Sequence, residues 1–137
     1  MSKHYIVRRA PPTLAMAEGI LRVEQQSLAD SPYSANEILD VMRRPEHLTY
    51  VALCDARIVG FCSSFVTVSQ QGAQLELDML AVFPEHRCRG LGTRLLSQGM
   101  ADAQSRNVGR FRGVVAGANI ASKRTFVRAG LAPANPL

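Results

Sequence analysis

Apolar and polar positions change period several times along the chain, and each change marks an element. Tyr5 to Arg9 reads as a short strand, stopped by Pro11 and Pro12, with Thr13 placed to cap a following helix. Leu14, Ala17, Leu21, Val23 and Leu28 recur mostly at three- and four-residue spacings. That spacing predicts an amphipathic helix ending before Asp30. Ser34 and Glu37 have the Ser-x-x-Glu spacing of a capping box, with Ile38, Leu39 and Met42 behind them, so a second short helix is expected before Pro45. Thr49 to Leu53 and Ile58 to Val68 are rich in β-branched and aromatic residues and flank Asp55 to Arg57, the pattern of a hairpin. Gly60 marks an expected bulge.

Gln74 to Val82 alternates for most of its length, with Leu75, Leu77, Met79 and Ala81 on one side and Glu76, Asp78, Leu80 and Val82 on the other. It is expected as a central strand. A helix over Gly90 to Arg106, a strand over Phe111 to Ala116 and a helix over Asn119 to Ala129 complete the reading. No internal repeat or low-complexity segment interrupts it.

With 137 residues, 47% of them hydrophobic, the chain is expected as a single soluble domain over 1–137. At this length folding buries roughly two-thirds of the unfolded surface. No apolar run approaches the roughly 20 residues of a membrane span, and Met1 to Arg9 lacks the core of a secretory signal. A cytoplasmic location with reduced thiols is therefore expected. Cys54, Cys62 and Cys88 show neither disulfide nor zinc spacing, so no metal is expected either. The net charge is +5, but its fourteen Arg and two Lys are spread over the whole chain. This is a poor nucleic-acid signature and fits a phosphorylated small molecule as well.

The most informative stretch is Val82 to Thr93, where a buried strand meets Pro84, a basic turn and two glycines that open a helix. Unpaired N–H groups and the macrodipole favour anions at such a helix start. Neither the P-loop spacing nor the dinucleotide fingerprint is present, because position 95 is Leu where a third Gly belongs. A tight turn with no ligand is the alternative reading of the glycines alone.

Arg87-x-x-Gly90-x-Gly92, preceded by Leu80 to Val82 and followed by Leu95 and Leu96, resembles the acetyl-CoA signature of the GCN5-related N-acetyltransferase (GNAT) superfamily. Asn119, Ser122, Phe126, Gly130 and Leu131 resemble the same family's second motif, so the likeness spans roughly residues 4 to 131. It implies an α/β (α+β) fold with a mixed, mainly antiparallel central sheet and about four flanking helices. It also implies acetyl-CoA as co-substrate, an amine-bearing acceptor, and direct attack in a ternary complex. In that family the strand before the loop splays from its neighbour. Carried over, Leu80, Ala81 and Val82 line pantetheine, and Arg87, Cys88, Arg89, Gly90, Leu91, Gly92 and Thr93 hold the pyrophosphate. Asn119, Ser122 and the Phe126 face belong to the helix that meets the arm of CoA, Asn119 fitting an N-cap as well.

Acyl transfer needs a neutral amine, and a lysine-like amine costs about 4.6 kcal/mol to deprotonate at pH 7, against about 1 to 1.4 for an α-amine. Glu76, six residues before Val82, resembles the general-base glutamate of the histone-acetylating branch, and Asp78 lies two residues on. Paired carboxylates suit a base acting through water; the same two residues also fit solvent-facing positions on a half-buried strand. Many family members carry a Tyr acid where Phe126 stands, and the ribosomal-protein branch a Glu where Val114 stands. Cys88, Ser122 or water would then protonate the thiolate. His86 reads as a solvated turn residue, Arg124 and Arg128 as a solvated face, and Cys54 and Cys62 as core. Only six residues follow Leu131, two of them Pro, so the last one or two strands of the family fold are expected to be lacking. The Phe111 strand would then be an edge, where a homodimer contact is expected. Two readings follow, an active N-acetyltransferase and a CoA-binding or degenerate module. Ser27 to Arg44, which would border the acceptor, has no readable code.

Overall fold

Five strands form one sheet in the order β1-β2-β3-β4-β5, which is also their order along the chain. They are β1 (Tyr5–Arg9), β2 (His47–Cys54), β3 (Arg57–Ser69), β4 (Gly72–Val82) and β5 (Arg110–Gly113), joined by helices α1 (Leu14–Ser27), α2 (Ala35–Met42) and α3 (Leu91–Ser105). The computed structural model describes residues 4–27, 33–113, 125 and 127–130. The first three strand pairs are antiparallel and β4 with β5 is parallel, α3 forming the crossover. The mixed, mainly antiparallel sheet is therefore present. The described residues hold three α-helices against about four expected. The fourth, together with the expected loss of strands beyond Leu131, lies largely outside them; Thr125, Val127 and Arg128 are helical.

Local chemistry sets the element starts. Thr13 Oγ1 accepts the Met16 N–H at 3.3 Å and begins α1. In α2, Ser34 Oγ accepts the Glu37 N–H at 3.2 Å while Glu37 Oε1 accepts the Ser34 N–H at 3.1 Å, so the capping box closes in both directions. Asp55 and Ala56 both take positive φ between β2 and β3, the backbone of a two-residue hairpin turn. The bulge expected at Gly60 falls beside it: Ala52 pairs with Gly60 and Leu53 with Ile58, leaving Val59 as the extra residue.

Helix α1 is rolled relative to the stripe read from the sequence. Leu14 is exposed and Leu21 half-buried, whereas Ala17, Gly19, Ile20, Val23 and Glu24 are buried. The small residues make the closer approach, with Gly19 set directly over the Ile58 side chain. The helices sandwich the sheet. Tyr50 packs beneath Gly99 of α3 and donates its hydroxyl proton to Asp102, while Ile20 and Phe61 belong to the opposite, α1 and α2 side. Burial, reinforced by Asp102, pushes the Tyr50 phenol well above its ordinary value. Cys54 and Cys62 are core residues, and burial pushes the Cys62 thiol up to about 12.

A second bulge corrects the alternation read for β4. Ser63 pairs with Met79 and Ser64 with Leu77, so Asp78 has no opposite number in β3. Because paired residues share a face, this one extra residue reverses every side chain after it. Leu75 and Leu77 point to the α3 side, but Met79 and Ala81, opposite Ser63 and Phe61, point to the α1 side. Leu80 and Val82, expected beside Glu76, lie on the other face from it.

Candidate functional site

The loop after β4 is built to present backbone donors. The Phe83 N–H donates to the Val59 carbonyl at 2.8 Å, fixing the exit of the strand, and Pro84–His86 forms one 3-10 turn. Arg87 Nε then donates to the Val82 carbonyl at 3.0 Å, so this guanidinium folds back on the strand. Cys88 (φ 62°) and Gly90 (φ 74°) both sit in the left-handed region on either side of Arg89. Gly90 is the N-cap of α3 with no side-chain cap, and its carbonyl accepts the Arg94 N–H at 3.0 Å. The N–H groups from Gly90 to Thr93 precede that first intrahelical bond and are the unpaired donors of a helix start.

The expected pyrophosphate residues divide into two kinds. Arg87, Cys88, Arg89 and Gly90 are exposed, whereas Leu91 is a core anchor only 2% exposed and offers the loop its N–H alone. Gly92 serves packing as well as approach. A Cβ there would lie 3.0 Å from Thr125 Cγ2 and 3.6 Å from Leu80 Cδ2, so the missing side chain lets α3, β4 and Thr125 meet. The positive end of α3 and the exposed Arg87, Arg89 and Arg94 give the loop an anion-attracting field. His86 corrects the expectation of a solvated turn residue: it is half-buried, with Nδ1 2.8 Å from the Tyr5 hydroxyl and the Arg89 guanidinium over the same tyrosine ring.

On the opposite face of the sheet a cavity of about 390 Å³ opens between the strands and helices α1 and α2. Thr49, Phe61, Ser63 and Met79 floor it, and Ile38 and Val41 of α2 wall it. Its charged lining is Glu24, Glu37, Glu46 and Asp78 against Arg44. Four carboxylates thus face one guanidinium. His47 sits among them, 9% exposed, with a buried Nδ1 that has no hydrogen-bond partner among the described residues. Burial lowers its pKa most strongly; Glu46 pulls it back up, Arg44 pushes it down again, and Asp78 raises it slightly.

The two expected catalytic carboxylates are separated in use. Asp78, displaced by the bulge, lines the cavity. Glu76 accepts a hydrogen bond from Gln74 Nε2 at 2.7 Å, faces Arg112 Nε at 3.8 Å and is not among the cavity residues. Leu80, Ala81 and Val82 join the cavity end of β4 to the loop. The β4–β5 ladder runs from Gln74 to Leu77, so beyond it the β5 side of β4 has no strand partner among the described residues. Asn119, Ser122, Phe126 and Arg124 lie outside the described residues, and Arg128 is exposed. Sequence reasoning missed Glu24, Glu46, His47 and Arg44, of which Glu24 carried a readable signal: a carboxylate four residues after the buried Ile20. Among the described residues no three His, Cys, Asp or Glu are grouped to hold a metal ion, and no helix is long and apolar enough to cross a membrane.

Comparison with solved structures places this architecture among acetyltransferases. An aminoglycoside acetyltransferase, meta-AAC0020, from an uncultured soil metagenomic sample, crystallised with trehalose, superposes with a TM-score of 0.85 at 13% identity, over 97% of this chain and 91% of its own. Aminoglycoside N-acetyltransferase AAC(6')-Iy in complex with CoA gives 0.82 at 13% identity, over 100% and 93%. Glucosamine-6-phosphate N-acetyltransferase from Arabidopsis thaliana gives 0.81 at 12% identity, over 98% and 95%. At such identities the likeness is one of fold. No curated protein sequence matches the chain significantly. A family model described as acetyltransferase (GNAT) family matches residues 15–131, most of the chain. The chain belongs to the GNAT acetyltransferase family.

Proposed function

We propose that this protein transfers an acetyl group from acetyl-CoA to a primary amine held in the cavity beneath α1 and α2. One observation carries the reading: β4 runs from the cavity, at Asp78 and Met79, directly into the donor-rich loop before α3. Residues Leu80 to Val82 therefore bridge the place for an anion and the place for an amine. The exposed loop, with its left-handed Gly90 and unpaired N–H groups, fits a pyrophosphate. Acetyl-CoA supplies the acetyl thioester, whose carbonyl the amine attacks as the CoA thiolate leaves.

The chain's own groups bind and move protons. The backbone edge of β4 beyond Leu77, which has no strand partner among the described residues, aligns the pantetheine arm, and Arg87 steadies its Val82 end. Asp78 takes a proton from the acceptor ammonium through water, which exposes the amine lone pair. Glu76, engaged by Gln74 and Arg112, supports the strand and the local negative charge more than it reaches the acceptor. A neutral His47 offers the acceptor a hydrogen-bonding ring nitrogen without adding positive charge. Water protonates the thiolate, since Phe126 cannot.

Calorimetry with acetyl-CoA, followed on the same sample by thiol release with a panel of amines, tests this. We expect Gly90→Val to weaken acetyl-CoA binding about tenfold or more, because a β-branched residue resists positive φ by roughly 1–2 kcal/mol before any lost contact. Asp78→Asn should lower kcat with acetyl-CoA affinity unchanged. An Asp78→Asn enzyme with full kcat would remove Asp78 from the proton path. The second reading, a CoA-binding module without robust catalysis, is favoured by Phe126 standing where many relatives hold an acid. Acetyl-CoA binding without thiol release on any amine would select it.

A further inference from the structure

Glu24 is an acidic residue in a core position with no counter-charge paired to it among the described residues. It lies on the buried stripe of α1 beside Val23, is 3% exposed, and lines the cavity. Among the described residues its carboxylate takes part in no hydrogen bond or ion pair. Its oxygens are nonetheless not sealed off, since the one buried side-chain polar atom without a partner among the described residues is His47 Nδ1. A buried residue that lines the cavity and whose carboxylate oxygens keep some access describes a side chain aimed into it.

Burying an ionised carboxylate is unfavourable unless a counter-charge meets it. The cavity itself supplies the opposite of one: Glu37, Glu46 and Asp78 add three further carboxylates, with Arg44 the only guanidinium, and burial holds His47 toward its neutral form. These acids stand on four different elements or loops. They are not gathered to close on a compact cation, and among the described residues no group of three could hold a metal ion. A spread of negative charge around an elongated space is complementary to a molecule whose positive charges are also spread.

We infer that Glu24 anchors a second ammonium group of the acceptor, so that the acceptor is a small polyamine rather than a monoamine or an anionic amine. The inference rests on the cavity being the acceptor site. One ammonium is held by Glu24 at the α1 wall while the amine to be acetylated lies at the β4 end, where Asp78 takes its proton. A phosphorylated or carboxylated amine would instead meet three uncompensated negative charges.

The test compares linear α,ω-diamines of increasing length with the monoamines of the same chain and with glucosamine 6-phosphate, by calorimetric binding and by thiol release. On wild type, the best diamine should bind about tenfold or more tightly than its monoamine, the scale of one charge-assisted contact. Glu24→Gln should remove most of that margin through KM with little change in kcat, while Glu24→Asp keeps part of it. Since the carboxylate has no partner to lose among the described residues and its unpaired burial is unfavourable, Glu24→Gln should melt no lower than wild type. Equal binding of diamine and monoamine, no binding of either, a preference for the phosphorylated amine, or a margin that survives Glu24→Gln would each overturn the assignment. Thiol release without a diamine preference would overturn Glu24 alone. A diamine preference without acetyl-CoA binding would leave the anchor and overturn the acetyl-transfer reading.

Discussion

Single residues decide where charge sits in this protein, and His47 shows how that reaches stability. Its imidazole is buried against Phe65 with an unpartnered Nδ1, and its pKa in the folded chain is lowered from the ordinary 6.5, burial being the main cause. Between that lowered value and 6.5 the unfolded chain binds more protons than the folded one, so stability increases with pH there. The contribution is fully present above 6.5 and is lost as pH falls below it. Denaturation midpoints of wild type and His47→Gln, compared from pH 7.5 down to pH 5.5, should therefore show wild type losing stability faster; a constant difference would contradict a neutral, buried His47. Glu24 makes the matching point about legibility. Ile20 and Ala17 precede it by four and seven residues, so helical spacing places it on the buried stripe once the stripe is drawn through them. A stripe drawn through Leu14 and Leu21 passes to one side, and the buried carboxylate is missed.

Elements were legible in proportion to how local their determinants are. The capping box at Ser34, the hairpin around Asp55 and the strand-to-loop-to-helix passage from Val82 to Leu91 each depend on a few neighbouring residues, and each stands where its residues place it. The bulge at Asp78 does not depend on β4 alone. It is a mismatch between two strands, visible only when Ser63 and Ser64 take their partners, and no periodicity within Gln74 to Val82 encodes it. It nevertheless shapes the site most, since it puts Asp78 at the cavity and turns Leu80 and Val82 to the other face. The same reasoning gives α2 a functional weight beyond its length. Eight residues make a marginal helix in isolation, and this one presents Glu37, Ile38 and Val41 to the cavity. Ser34→Ala breaks half of the box and should cost about 1 kcal/mol. We expect the acceptor KM to rise while the acetyl-CoA KM holds, because α2 packs on α1 and β2 and lines the cavity. Steady-state kinetics with each substrate varied in turn reads this directly, and a rise in both constants would mean that α2 supports the whole domain.

At the scale of the whole molecule the two sites carry opposite signs within a chain whose net charge is +5. The arginines and helix start before α3 follow the Val82 end of β4, and the cavity, which β4 reaches at Asp78 and Met79 a few residues earlier, opens on the α1 and α2 face of the sheet. From a distance the protein attracts an anion such as a phosphorylated molecule and repels a cation. At close range the second relation reverses, because four carboxylates outnumber one guanidinium around the cavity. These two ranges respond differently to salt, since the Debye length is about 10 Å at 0.1 M and buried pairs are screened less than exposed ones. The loop arginines are exposed and Glu24 is not. Raising sodium chloride from about 0.05 to 0.5 M should therefore raise the KM for acetyl-CoA several-fold. The KM for a diamine should change less, since relief of the long-range repulsion offsets the screening of the cavity. Parallel loss of both affinities would show that the acceptor is held by exposed charge, and would move its site away from the buried carboxylate on α1.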